Sequence, residues 1–169
     1  MIVLVLGGTR SGKSEVAEAI AESLGSAVTY VATAAVDPDD TDHSARVAAH
    51  KVRRPPGWDT VECEAPADLP RLLREIDHPV VVDSLGTWVT LHAELTVDAD
   101  DLLAALADRT ASAVIVSEEV GMAVHPPSEL GRRYVDAMGK LNQQVAEVAD
   151  RVLLVVAGRP LELPFADGR

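Results

Sequence analysis

The sequence predicts an α/β domain on a mostly parallel sheet, and three observations carry that expectation. Aliphatic runs recur at 2–6, 27–34, 80–82, 113–116 and 152–156 without polar alternation, as strands buried on both faces read. Helical stretches separate them, at 13–24, about 41–52, 67–76, 99–109 and about 129–150, so strands alternate with crossover helices. A glycine-rich turn, Gly7-Gly8-Thr9-Arg10-Ser11-Gly12-Lys13-Ser14, joins the first run to the first helix. In folds of this kind ligands gather at the carboxyl ends of the strands.

The first run, Ile2-Val3-Leu4-Val5-Leu6, is too short to cross a bilayer and lacks a basic leader, so it reads as the first strand of a cytoplasmic protein. After the second run, Asp37-Pro38-Asp39-Asp40-Thr41 starts a helix with acidic first-turn residues, and Arg53-Arg54-Pro55-Pro56-Gly57-Trp58 ends it, because proline cannot continue the hydrogen-bond ladder. These signals mark an insert over about 37–62. The third run ends on Asp83 and the fourth leads into Glu118-Glu119, which places carboxylates at two strand ends. The loop 121–128 holds His125-Pro126-Pro127 ahead of the long last helix, a position suited to an active-site loop.

With 169 residues, 47% of them hydrophobic, the chain fits one domain over 1–169, and it shows no internal repeat or linker. A net charge of −12 argues against a nucleic-acid or anionic-membrane surface, so any polyanion must meet a local cluster of cations. The single cysteine, Cys63, excludes an internal disulfide and fits the reducing cytosol.

The glycine-rich turn matches the phosphate-binding pattern G-x-x-x-x-G-K-[ST], in which backbone N–H groups and a helix N-terminus converge on phosphate oxygens. Lys13 is placed to reach the β- and γ-phosphates and Ser14 to ligate Mg²⁺. Asp83 is the expected second metal-side group, with Glu118-Glu119 as the competing pair. In the insert, Arg46, His50, Lys51, Arg53 and Arg54 fall within nine residues of an otherwise acidic chain, and Arg46 and His50 share a helix face. This cluster is either a solvated basic face or a site where His50 meets the triphosphate as nucleophile or acid–base group. His43 and His125 are weaker candidates, and no spacing forms a protein-bound zinc site.

Several blocks resemble, in order, the bifunctional adenosylcobinamide kinase and adenosylcobinamide-phosphate guanylyltransferase family of cobalamin biosynthesis. These are the phosphate loop with its Thr9-Arg10-Ser11 interior, Arg46–Pro55 followed by Trp58–Glu62, Asp83-Ser84-Leu85-Gly86-Thr87-Trp88 and Val116–Met122. Arg132-Arg133-Tyr134, Gly139–Gln143 and Val155–Leu161 then follow in family order. The resemblance implies a single-domain P-loop NTPase fold with a RecA-like sheet, and a cytoplasmic homotrimer. It implies two reactions: phosphorylation of the cobinamide hydroxyl by GTP or ATP, then transfer of GMP from GTP to the corrinoid phosphate. The guanylylated histidine of the family falls on His50, and Lys13 is its catalytic partner in placing charge. The nucleotide-side set becomes Gly7, Gly8, Thr9, Arg10, Ser11, Gly12, Lys13, Ser14, Arg53, Arg54, Glu62 and Asp83, with Mg²⁺ at Ser14 and Asp83.

The chain departs from the family pattern at Asp42 and His43, where Glu-Met is usual, at Ser84 for Cys, Gly86 for Thr, Leu91 for Asn and Glu118 for Asn. The departures near Asp83 and Glu119 bear on second-substrate contacts, since the phosphate loop itself is intact. Two alternatives use the same loop: a small-molecule kinase without guanylyl transfer, which does not need His50, and a nucleotide-dependent regulatory protein. For the second, Asp83-Ser84-Leu85-Gly86 imitates D-x-x-G, but N-K-x-D guanine reading is impossible because the one asparagine, Asn142, is followed by Gln143.

Overall fold

The computed structural model describes residues 1–33, 55 and 57–165. The helix expected at 41–52 lies outside the described residues, and with it His43, Arg46, His50, Lys51, Arg53 and Arg54. The strands are β1 (Ile2–Gly7), β2 (Thr29–Ala32), β3 (Asp59–Glu62), β4 (Val80–Asp83), β5 (Ala113–Glu118), β6 (Arg151–Val156) and β7 (Arg159–Glu162). The described α-helices are α1 (Lys13–Leu24), α2 (Asp68–Glu75), α3 (Leu85–Thr90), α4 (Asp100–Ala107) and α5 (Glu129–Val148).

The described strands form one sheet in the order β3-β2-β4-β5-β1-β6-β7. Every pairing is parallel except β6 with β7, so the expected mostly parallel α/β sheet is what forms. In β1 every residue is buried, and β4 and β5 stay buried up to their last residue, which is why their sequences run aliphatic without alternation. Two strands carry no such signal. β3 is mostly exposed and β7 wholly so, because they are the edges of the sheet. Residues 59–62 therefore belong to the sheet, paired with β2 from Thr29↔Asp59 to Ala32↔Glu62, and the insert expected over 37–62 ends before them. Pro160 is tolerated in β7 because an edge strand leaves one side of its ladder unpaired.

Period-two alternation divides the core. On one face Leu4, Val31, Val82 and Ile115 pack with Leu69, Leu73, Trp88, Leu102, Leu106, Met138 and Leu141 of α2 to α5. On the other, Val3, Val5, Tyr30, Val81, Val114, Val116 and Leu153 pack with Ala17 and Ala21 of α1. Arg109 ties the first layer together: its guanidinium donates to the carbonyls of Leu73, Ile76 and His78, and burial pushes its pKa below the usual arginine range. Cys63 is 2% exposed, and burial pushes its thiol up to about 11, so it is a small core filler.

Trp88 is 1% exposed and its indole N–H donates to the Pro66 carbonyl at 3.0 Å. Trp88→Ala removes the largest fully buried side chain and orphans that carbonyl. The expected loss is roughly 4 kcal/mol. Thermal unfolding followed by circular dichroism should show the midpoint falling by roughly 10 °C for a chain of this size.

Candidate active site

The phosphate loop leaves β1 at Gly7 and enters α1 at Lys13. Gly12, the N-cap of α1, has φ 90°, a left-handed conformation that a side chain would strain. A Cβ at Gly12 would also stand 3.0 Å from Gly158 Cα, so glycine is required twice over. Gly158 belongs to the two-residue turn between β6 and β7, where Ala157 and Gly158 both have positive φ, as tight hairpins of right-handed twist demand. The Gly158 N–H donates to Ser11 O at 2.7 Å, so the hairpin turn braces the loop from outside. Inside it, Ser11 Oγ is buried with no hydrogen-bond partner among the described residues. A buried hydroxyl of this kind fits a loop made to enclose oxygen-rich anions.

Strand order decides which acids face the loop. β5 stands between β1 and β4, so Gly7 lies opposite Glu118, and Asp83 lies one strand further, opposite Val116. Lys13 Nζ is 3.6 Å from Glu118 Oε1 and donates to Gly8 O at 3.5 Å. Of the two expected acids at the end of β5, Glu118 is the one that meets Lys13. Glu119 instead accepts from the Gly121 N–H at 2.7 Å as a turn acceptor.

Asp83 Oδ2 accepts from the Tyr30 hydroxyl at 2.6 Å, and the peptide that follows it is cis. Behind Asp83, the fully buried Thr33 donates to Ser84 O at 2.6 Å and accepts from the Ser84 N–H at 2.8 Å. Ser84 starts α3 with a reciprocal capping interaction with Thr87. The end of β5 is clamped in the same way by Asn142 of α5: it accepts from Ser117 Oγ at 2.6 Å and donates to Glu118 O at 3.0 Å. This positioning role of Asn142 was not apparent from sequence; a polar residue on the buried face of an otherwise apolar helix is the signal that points to it.

Glu62 and His125 stand on other parts of the fold. Glu62 ends β3 at the far edge, four strands from β1, or roughly 19 Å at ordinary strand spacing. His125 is exposed in a loop whose carbonyls at Pro126 and Pro127 accept from Arg132. The segment containing His50 leaves the sheet after β2, at the same carboxyl edge as the phosphate loop.

A family model described as cobinamide kinase / cobinamide phosphate guanyltransferase matches residues 3–163. The chain belongs to that family. It is 40% identical over 169 residues to the bifunctional adenosylcobalamin biosynthesis protein CobP of Pseudomonas aeruginosa, with 95% of each chain covered. It is 36% identical to CobU of Salmonella typhimurium, covering 94% of this chain and 97% of that one. A fold of the same kind occurs in the flagellar accessory protein FlaH of Methanocaldococcus jannaschii, with a TM-score of 0.52 at 12% identity, over 90% of this chain and 70% of that one. As a member of the guanyltransferase family the chain is a transferase of cobalamin biosynthesis, with kinase and guanylyl-transfer activity, a nucleotide substrate and a corrinoid substrate.

Within this family member, three of the departures, Ser84, Gly86 and Glu118, form one cluster. Ser84 Oγ donates to both Glu118 carboxylate oxygens, at 2.9 and 3.0 Å, and the Gly86 N–H donates to Oε2 at 2.9 Å. Tyr134 closes the cluster, and burial together with the Glu118 charge pushes its phenol up to about 12. Leu91 is partly buried against the apolar core beside α3.

Proposed function

We propose that one phosphate cradle serves both reactions and that His50 carries GMP between GTP and the corrinoid phosphate. The observation that supports this reading is topological: Lys13, Asp83 and the departure point of the His50 segment all lie along the carboxyl edge of one sheet. In the kinase step the cobinamide hydroxyl oxygen attacks the γ-phosphorus of GTP or ATP, and the nucleoside diphosphate leaves while Lys13 and the loop N–H groups hold its charge. In the second step a neutral His50 ring nitrogen attacks the α-phosphorus of GTP and pyrophosphate leaves. The corrinoid phosphate oxygen then attacks the phosphoramidate and frees His50. Two easier displacements, the first by a neutral nucleophile, replace one between two anions.

Gly7, Gly8, Thr9, Arg10, Ser11, Gly12 and Lys13 make the cradle, and Arg53 and Arg54 neutralise charge near His50. Glu62, at the far edge, takes the end of the nucleotide remote from Lys13. Ser14 and Asp83 fit Mg²⁺ by chemistry, a hydroxyl and a carboxylate for a hard cation that completes its shell with phosphates and water. Bound there, the ion would supply positive charge to offset the charge that develops on the phosphates. The reading includes a homotrimer in the cytoplasm, where triphosphates and reduced thiols coexist.

Incubation with GTP labelled in the α-phosphate should leave an acid-labile, alkali-stable label on the protein. Its absence, with guanylyl transfer intact, would show that GMP passes directly to the corrinoid phosphate.

A further inference from the structure

The Lys13–Glu118 contact sets a carboxylate beside the cation that a phosphate-binding loop needs for phosphate. The carboxylate is not a solvated side chain that happens to lie nearby. Its side chain is 23% exposed, and it takes three hydrogen bonds from two donors fixed at the start of α3, the Ser84 hydroxyl and the Gly86 N–H. Space is reserved for it as well. A Cβ at position 86 would overlap Glu118 Oε2 and stand 2.6 Å from the Tyr134 hydroxyl. Gly86 thus leaves open the volume that the carboxylate fills, and Lys13, 12% exposed, has no other carboxylate partner among the described residues.

Two consequences follow from charge. A carboxylate held by two fixed donors is rigid, so it fixes the direction of the Lys13 ammonium better than water would. It also repels phosphate oxygens brought to the same ammonium, at distances where two unit charges interact strongly even with partial screening. The first effect favours the transition state, and the second weakens ground-state binding. Together they raise KM and kcat in parallel, since binding energy is withheld from the bound nucleotide and orientation is supplied to the transferring group.

We propose that Glu118 is a positioning residue of the phosphate cradle, which orients Lys13 and holds down nucleotide affinity, and that Ser84 and Gly86 exist in this chain to hold it. The inference rests on the reading of Lys13 as a phosphate ligand.

The test is steady-state kinetics of cobinamide phosphorylation by the full-length chain, with Mg²⁺ saturating and nucleotide varied. Glu118→Gln keeps the shape and one acceptor oxygen while removing the charge. Its nucleotide KM should fall about tenfold, and its kcat should fall about tenfold as Lys13 loses its anchor. Ser84→Ala should move both constants the same way by less, and adding it to Glu118→Ala should change neither further, because residues acting through one contact do not add. Unchanged KM and kcat in Glu118→Gln, or additive effects of Ser84→Ala and Glu118→Ala, overturn the inference. Lys13→Ala in the same assay separates the two levels. If it retains activity, the reading of Lys13 itself fails; if it is inactive while Glu118→Gln behaves as wild type, only the role of Glu118 fails.

Discussion

Lys13→Ala is expected to lower kcat/KM for cobinamide phosphorylation by about a thousandfold, and guanylyl transfer with it. Phosphoryl transfer asks little covalent work of a protein. Most of the acceleration comes from placing positive charge where the bridging and equatorial oxygens gain negative charge. Lys13 is the one cation that opens α1 within the cradle, and its ammonium already sits among Gly8 O and Glu118. Removing it also leaves the half-buried Glu118 carboxylate beside the phosphates without compensation, so the loss should exceed that of deleting a neutral donor. Assays of both reactions on one preparation check this. A variant that loses only one would show that the reactions do not share the cradle.

His50→Ala divides the activities instead. Guanylyl transfer should drop below detection, a fall of at least about a thousandfold, while phosphorylation of cobinamide changes by less than about threefold. The reason is chemical: the kinase step has its own nucleophile in the substrate hydroxyl, but the guanylyl step needs a nucleophile able to reach the α-phosphorus. Chromatographic separation of the corrinoid phosphate from its nucleotide-bearing product measures both in one reaction. Equal losses in the two steps would instead make His50 a binding residue for the nucleotide.

Much of this architecture was legible because it is written in contiguous residues. β1, β4 and β5 are aliphatic runs buried on both faces, and the phosphate loop is a linear pattern between a strand and a helix. The edges were not legible. Asp59-Thr60-Val61-Glu62 and Arg159-Pro160-Leu161-Glu162 bury too little to show a hydrophobic signature, and they are strands because a neighbour offers them a ladder. α3, six residues long with Gly86 inside, has neither the length nor the propensity to announce itself. In the site, whether Asp83 or the Glu118-Glu119 pair stands beside the phosphate loop depended on which strand inserts between β1 and β4, a fact of topology with no local trace. The departures at Ser84, Gly86 and Glu118, far apart in sequence, likewise become one unit only when β4 and β5 lie side by side.

The turn at Ala157–Gly158 gives the molecule an order of assembly. The phosphate loop precedes, by nearly the whole described chain, both its brace, the Gly158 N–H on Ser11 O, and β6, one of the two strands flanking β1. Until β6 arrives, β1 has an open edge and the loop lacks its outer wall. The loop is therefore complete only when β6 and the β6–β7 turn have joined the sheet.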